Sequence, residues 1–168
     1  MLHHLETDHQ RGLDHGAWSV LRHLYPHADV PVFQVSLDHV RTFEEHVALG
    51  KEMSELRERG VLILGSGNLV HNLHRINWEM PGAAYPWAEE FDTKVKQAIT
   101  ERNVEALAAP DRWGGSLLGE AHPTLEHYAP VLYCLGSTDG QDQVTYPYEG
   151  MEFGTISMRM VLFQPTLS

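Results

Sequence analysis

An α/β fold built on parallel strands is the reading this sequence supports, and three stretches carry it. Val61–Leu64 is a run of four apolar residues, the pattern of a strand buried on both faces, and Gly65-Ser66-Gly67-Asn68 turns the chain sharply at its end. Pro31–Leu37 alternates apolar and polar residues as a half-buried strand does. Between them, Thr42-x-x-Glu45 is a capping box that opens a helix running to Glu58, with Phe43, Val47, Met53 and Leu56 facing inward and Gly60 ending it. Strand, helix and strand joined by a crossover of this length make a right-handed βαβ unit, which requires parallel strands. In such a sheet ligands bind beyond the carboxyl ends of the strands, so chemistry is expected just past the glycine turn, at His71 and Asn72.

The remaining elements follow from local signals. Residues 1–12 carry no packing pattern and read as a frayed lead-in, with His3, His4 and His9 as solvated histidines. Asp14 is a good N-cap, and the helix behind it places Trp18, Leu21 and Tyr25 on one face until Pro26 stops it. His15 then lies in that helix's first turn, where spacing alone makes it a surface residue. Trp87–Thr100 is helical, with Phe91 and Val95 four apart, and Val104–Ala109 is a short helix ended by Pro110. A helix over His122–Leu135 is expected to begin at Pro123, to kink at the interior Pro130 and to end at Gly136. Two strands, Gln143–Tyr148 and Gly154–Phe163, complete the chain, the second with Ile156, Met158, Met160 and Leu162 alternating.

Length and composition narrow the function. The 168 residues suffice for one domain, 1–168, with one sizeable core. The formal charge is −11, which disfavours nucleic acid or an anionic membrane surface as a partner. One cysteine, Cys134, excludes an intramolecular disulfide and a cysteine-based zinc cluster, and fits a reducing cytoplasm. No apolar run is long enough to span a membrane, and the N-terminus lacks the apolar core of a signal peptide. Histidine is the outlier, with 12 copies against 12 lysines and arginines together. Imidazole is both a common transition-metal ligand and the usual acid or base near neutral pH, and at most three of the 12 are expected to act so.

The motifs exclude more than they assign. Gly65-Ser66-Gly67 is not a dinucleotide fingerprint, because Val70 stands where the third glycine belongs. There is no P-loop lysine, no G-x-S-x-G elbow and no H-E-x-x-H, and Cys134 in its apolar helix reads as core. His15, His71 and His127 each sit beside a local break: a capped helix start, a glycine turn, a proline-interrupted helix. They either converge on a metal or proton-transfer site, or are three unrelated histidines.

Longer motifs decide between these. GLDHGAW (12–18), YPHADVPVFQVSLD (25–38), GSGNLVHNL (65–73), YPWAEEF (85–91), HPTLEHYAPVLYCLG (122–136) and YEGMEFGTISMRMVLF (148–163) closely resemble the class III extradiol ring-cleavage dioxygenases, in their 4,5-DOPA branch. The resemblance runs from about Arg11 to Phe163. It implies a three-layer, mostly parallel or mixed sheet flanked by helices, and an oxidoreductase that opens a catechol with O₂ at a mononuclear non-haem metal. Fe(II) is the expected metal and Zn(II) the alternative. By the same resemblance His127 is a metal ligand, and His71 lies at the metal as the acid/base that takes a proton from catechol. His15 hydrogen-bonds substrate or O₂, and Asn72 belongs to the substrate site.

Members of this family also carry an N-terminal third with two further histidine ligands, and residues 1–14 match neither motif. The chain therefore resembles the C-terminal two-thirds of the family fold. It is expected to bind metal weakly alone, because such sites use three protein ligands. It is also expected to pair as a homo-oligomer, or with a chain supplying the missing segment. The rival expectation is a catalytically silent remnant that persists as a folded or partner-binding domain.

Overall fold

The computed structural model describes residues 6–166, so His3 and His4 lie outside the described residues. These residues form two compact units divided after Asp38.

In the first unit, Asp14 caps α1 (His15–Leu24), accepting from the Ala17 N–H at 2.9 Å as its residue type predicts. Asp14 also meets Gln34, whose Nε2 donates to Oδ2 at 2.6 Å and whose Oε1 accepts from the Asp14 N–H at 3.0 Å. This pairing ties the run after the helix back to the helix start. The expected strand Pro31–Leu37 has no ladder partner among the described residues.

The second unit holds the core. It contains α2 (Phe43–Glu52), α3 (Ser54–Glu58), α4 (Pro86–Thr100), α5 (Val104–Ala108), α6 (Leu117–Ala121) and α7 (Ala129–Gly136). Short 3₁₀ turns occupy Leu73–Arg75 and Pro110–Trp113. The Thr42–Glu45 capping box forms with both of its hydrogen bonds. Along α2 and α7 the backbones approach closely, because Gly50 and Gly136 lie in the contact. A Cβ on Gly50 would stand 2.3 Å from the Tyr133 carbonyl oxygen, and one on Gly136 would stand 2.2 Å from that of Val47. Phe91, Val95 and Ile99 of α4 meet Leu107, Tyr128 and Leu132 in the fully buried centre. Burying apolar area at about 25 cal/mol per Å² makes this cluster the main source of the unit's stability.

Two expectations about secondary structure are corrected. The architecture is mixed α/β, but its strands form two separate antiparallel ladders rather than one parallel sheet. β1 (Gln143–Thr145) pairs with β4 (Leu162–Gln164), and β2 (Met151–Glu152) pairs with β3 (Ile156–Ser157). The expected long strand Gly154–Phe163 is thus split between β3 and β4. The exposure of Val61–Leu64 alternates as a strand's does, with Leu62 61% and Leu64 44% exposed. Its backbone finds no ladder among the described residues, and a parallel strand exists only where a neighbour lies alongside. The second correction concerns Pro130. It lies in the first turn of α7, where its missing N–H costs nothing, and it kinks no helix. Residues 122–128 precede that helix as bends and turns.

Candidate functional site

The turn after residue 64 is locked in place by backbone hydrogen bonds from several directions. The Asn68 N–H donates to the His127 carbonyl at 3.1 Å, and the Ser157 N–H donates to the Val70 carbonyl at 3.0 Å. The His71 N–H donates to the Ala121 carbonyl at 3.0 Å, and His71 forms an antiparallel bridge with Ile156. Leu69 and Val70 are buried, so the turn is anchored in the core while its next residue reaches outward. His71 is therefore presented from a rigid base.

His127 comes to the same place from the turn before α7. The two imidazoles stack, with ring centroids 3.5 Å apart and an interplanar angle of 11°. Residues 56 positions apart in sequence thus make one face-to-face pair. The His127 Nδ1 lies 3.1 Å from the Asn68 Oδ1, so the glycine turn also holds this second ring.

Electrostatics act on His71 and on its neighbour Glu126. Burial lowers the pKa of His71, against an opposing pull from the Glu126 carboxylate. Burial alone would raise the Glu126 carboxyl. A hydrogen bond from the Thr124 hydroxyl at 2.7 Å and the two nearby imidazoles outweigh it, leaving that carboxyl below its ordinary range. An anionic Glu126 beside a His71 biased toward its neutral form follows near pH 7.

Sequence reasoning missed His122. It is 2% exposed, packed between the rings of Phe91 and Tyr128, and its Nε2 lies 2.9 Å from the Leu69 carbonyl oxygen. A carbonyl can only accept, so Nε2 carries the proton. Burial pushes the His122 pKa down to about 4, and the neighbouring His127 and His71 act in the same direction. This residue is a neutral pin under the turn. Its signal was the HPTLEHY stretch itself, where only the second histidine drew a role.

The other expected residues lie as follows. Asn72 is buried, with its side-chain oxygen accepting from the His74 N–H at 3.0 Å and its Nδ2 donating to the Glu120 carbonyl at 2.7 Å. Both ends of that amide therefore serve the backbone. His15 is the exposed first residue of α1, in the first unit. Among the described residues, no three His, Cys, Asp or Glu side chains gather closely enough to hold a metal ion. No helix among them is long and apolar enough to cross a membrane.

Comparison with known proteins joins this geometry to a family. Residues 2–160 match the family described as the catalytic LigB subunit of aromatic ring-opening dioxygenase. The chain is 42% identical over 154 residues to a 4,5-DOPA dioxygenase extradiol of Escherichia coli K12, a match covering 89% of this chain and 56% of that protein. It is 33% identical to the protein of the same name from Beta vulgaris, covering 96% of this chain and 60% of the relative. The crystal structure of an uncharacterized Escherichia coli K12 protein superposes with a TM-score of 0.82 at 40% identity, covering 90% of this chain and 62% of that one. The chain thus spans a little over half the length of the curated relatives it matches. With the family match running nearly end to end, and the stacked His71–His127 pair inside it, the chain belongs to the LigB family of aromatic ring-opening dioxygenases.

Proposed function

We propose that this chain carries the proton-handling histidine and one metal-holding histidine of an extradiol dioxygenase that opens a catechol ring with O₂. The observation that supports this reading is the His71–His127 pair, two imidazoles 3.5 Å apart on a locked turn. Neutral imidazole is the form that both binds a metal and accepts a proton, and burial favours that form at His71.

The donors suit Fe(II), or Zn(II) in its place, in kind but not in number. Two imidazoles are present, and selective sites of this type use three protein ligands. His127 would hold the metal with His71 lying at it, and further ligands would come from outside this pair. A metal bound there would supply the Lewis-acid centre at which catechol and O₂ are held together. His71 takes the proton from a catechol hydroxyl and returns it as the ring opens, a role that its depressed pKa keeps available at neutral pH. His15 hydrogen-bonds substrate or O₂, while Asn72 holds the turn that presents His71. The single cysteine supports a reducing, cytoplasmic setting. The uncovered Leu62 and Leu64 support association, with a second copy or with a chain that brings the remaining ligands.

Anaerobic loading with Fe(II), followed by catechol and air, tests the reading through oxygen uptake and the absorbance of the ring-opened product. His71→Ala is expected to lower kcat by about 10²–10⁴-fold, the usual weight of a general acid–base. Absence of turnover with iron demonstrably bound would overturn it. That result would favour the second reading, a catalytically silent folded domain, which the two-donor count supports.

A further inference from the structure

The hydrogen bonds around His127 fix more than its position. Asn68 has two side-chain ends and each has one partner: Nδ2 lies 2.8 Å from the Ser157 carbonyl oxygen, and Oδ1 lies 3.1 Å from the His127 Nδ1. The Ser157 carbonyl has no proton to give, so the amide nitrogen must face it. Turning the amide over would set two oxygens against each other and break the arrangement. The oxygen end therefore faces the imidazole, and an amide oxygen can only accept. It follows that the His127 Nδ1 carries the proton and Nε2 carries the lone pair.

Each part of this chain is itself held. The Asn68 N–H donates to the His127 carbonyl at 3.1 Å, so backbone and side chain of one residue both grip the other. Ser157 is 1% exposed, and its hydroxyl donates to the Asp92 Oδ1 at 2.6 Å. Asp92 is in turn paired with Arg159, whose Nε lies 3.1 Å from Oδ2. The line runs from imidazole to amide, carbonyl, hydroxyl, buried carboxylate and guanidinium.

We propose that Asn68 is a positioning residue that holds His127 in the Nδ1–H tautomer and so aims the Nε2 lone pair at the metal. The metal half rests on the reading of His127 as a ligand, whereas the tautomer is a property of the chain by itself. An orienting partner on the second imidazole nitrogen typically changes metal affinity 10–100-fold.

Histidine-selective ¹⁵N labelling and a long-range ¹H–¹⁵N correlation spectrum at one fixed pH near 8 read the tautomer directly. His127 is expected as the Nδ1–H form, and His122, whose Nε2–H donates to Leu69, as the opposite form in the same spectrum. Asn68→Leu keeps the size and removes the acceptor, so His127 is expected to shift toward Nε2–H while His122 stays unchanged as the internal sign of an intact fold. If Asn68→Leu disturbs the His122 signal as well, the native chain still decides the matter. An Nε2–H form of His127 in the native chain overturns the proposal. Calorimetric titration with Zn(II) reads the metal half, with a loss of about tenfold or more expected for Asn68→Leu. An unchanged zinc affinity alongside a shifted tautomer would overturn the ligand reading of His127 and leave the tautomer assignment standing.

Discussion

Gly67 and the carbonyl of His127 stand so close that a Cβ on the glycine would lie 2.3 Å from the oxygen. The next residue donates its N–H to that same oxygen at 3.1 Å, so glycine at 67 allows the two segments bearing the histidine pair to touch. Gly67→Ala must drive backbone from backbone, which no flexible side chain can relieve. A loss of about 1–3 kcal/mol in urea denaturation is expected, as for other overpacked contacts. Gly119→Ala is the control, since nothing lies within 4 Å of a Cβ there. Inside α6 it should be neutral or stabilising by up to about 1 kcal/mol.

His122 should make the fold sensitive to mild acid. Its pKa is about 4 in the folded chain and 6.5 in the ordinary state. Between those values the unfolded chain binds more protons than the folded one, so stability rises with pH across that window. The contribution is complete above about 6.5 and is lost as the pH falls toward 4. Its full size is roughly 3 kcal/mol, from about 1.4 kcal/mol per unit. Denaturation midpoints measured at intervals from pH 7 to 4 should trace the loss. His122→Gln, which can still donate to the Leu69 carbonyl, should flatten the curve across that range.

Signals contained within a few residues were legible in the sequence. Thr42 and Glu45 cap α2 because both partners of the box lie within one turn, and Asp14 caps α1 for the same reason. Val61–Leu64 has the apolar content of a buried strand, but a strand is made by a neighbour, and four residues say nothing about whether one is alongside. Pro130 would kink a helix that began at His122, but the helix starts at Ala129 and the proline fits its first turn. The site divides the same way. His71 and His127 announced themselves by motif, whereas Asn68 and His122 act through partners 59 and 53 residues away and drew no role from their own surroundings. An asparagine closing a glycine turn was the one local hint at Asn68, since such residues commonly bond across turns.

Asp92 should be among the most sensitive polar positions outside the histidines. Its side chain is 5% exposed and that of Arg159 10%, and the carboxylate also receives the Ser157 hydroxyl. Asp92→Ala leaves a buried guanidinium with Glu149 as its remaining carboxylate among the described residues. Breaking a buried pair from one side costs about 3–5 kcal/mol, and Glu149 should keep the loss near the lower end. Glu90→Ala removes an exposed partner of Lys94, 3.6 Å away, and should change stability by less than about 0.5 kcal/mol. Urea denaturation of both variants measures the contrast.

Zinc binding should separate what this chain holds from what it lacks. Two imidazoles stacked face to face at 3.5 Å offer donors, but stacking does not make them converge as ligands of one ion do. One ring must swing to bring both nitrogens to a common point, and that reorganisation draws on the binding energy. A site with two protein ligands also leaves half of zinc's four tetrahedral positions to water. Calorimetric titration of the monomer with Zn(II) is therefore expected to give a Kd weaker than about 1 μM, or less than about 8 kcal/mol of binding free energy. His127→Ala and His71→Ala should each weaken it further. His15→Ala tests whether a third histidine takes part, and on the reading of His15 as a group that bonds substrate it should leave zinc affinity unchanged. Tight, stoichiometric binding by the monomer, abolished by His127→Ala, would show that the pair recruits a third ligand from within this chain.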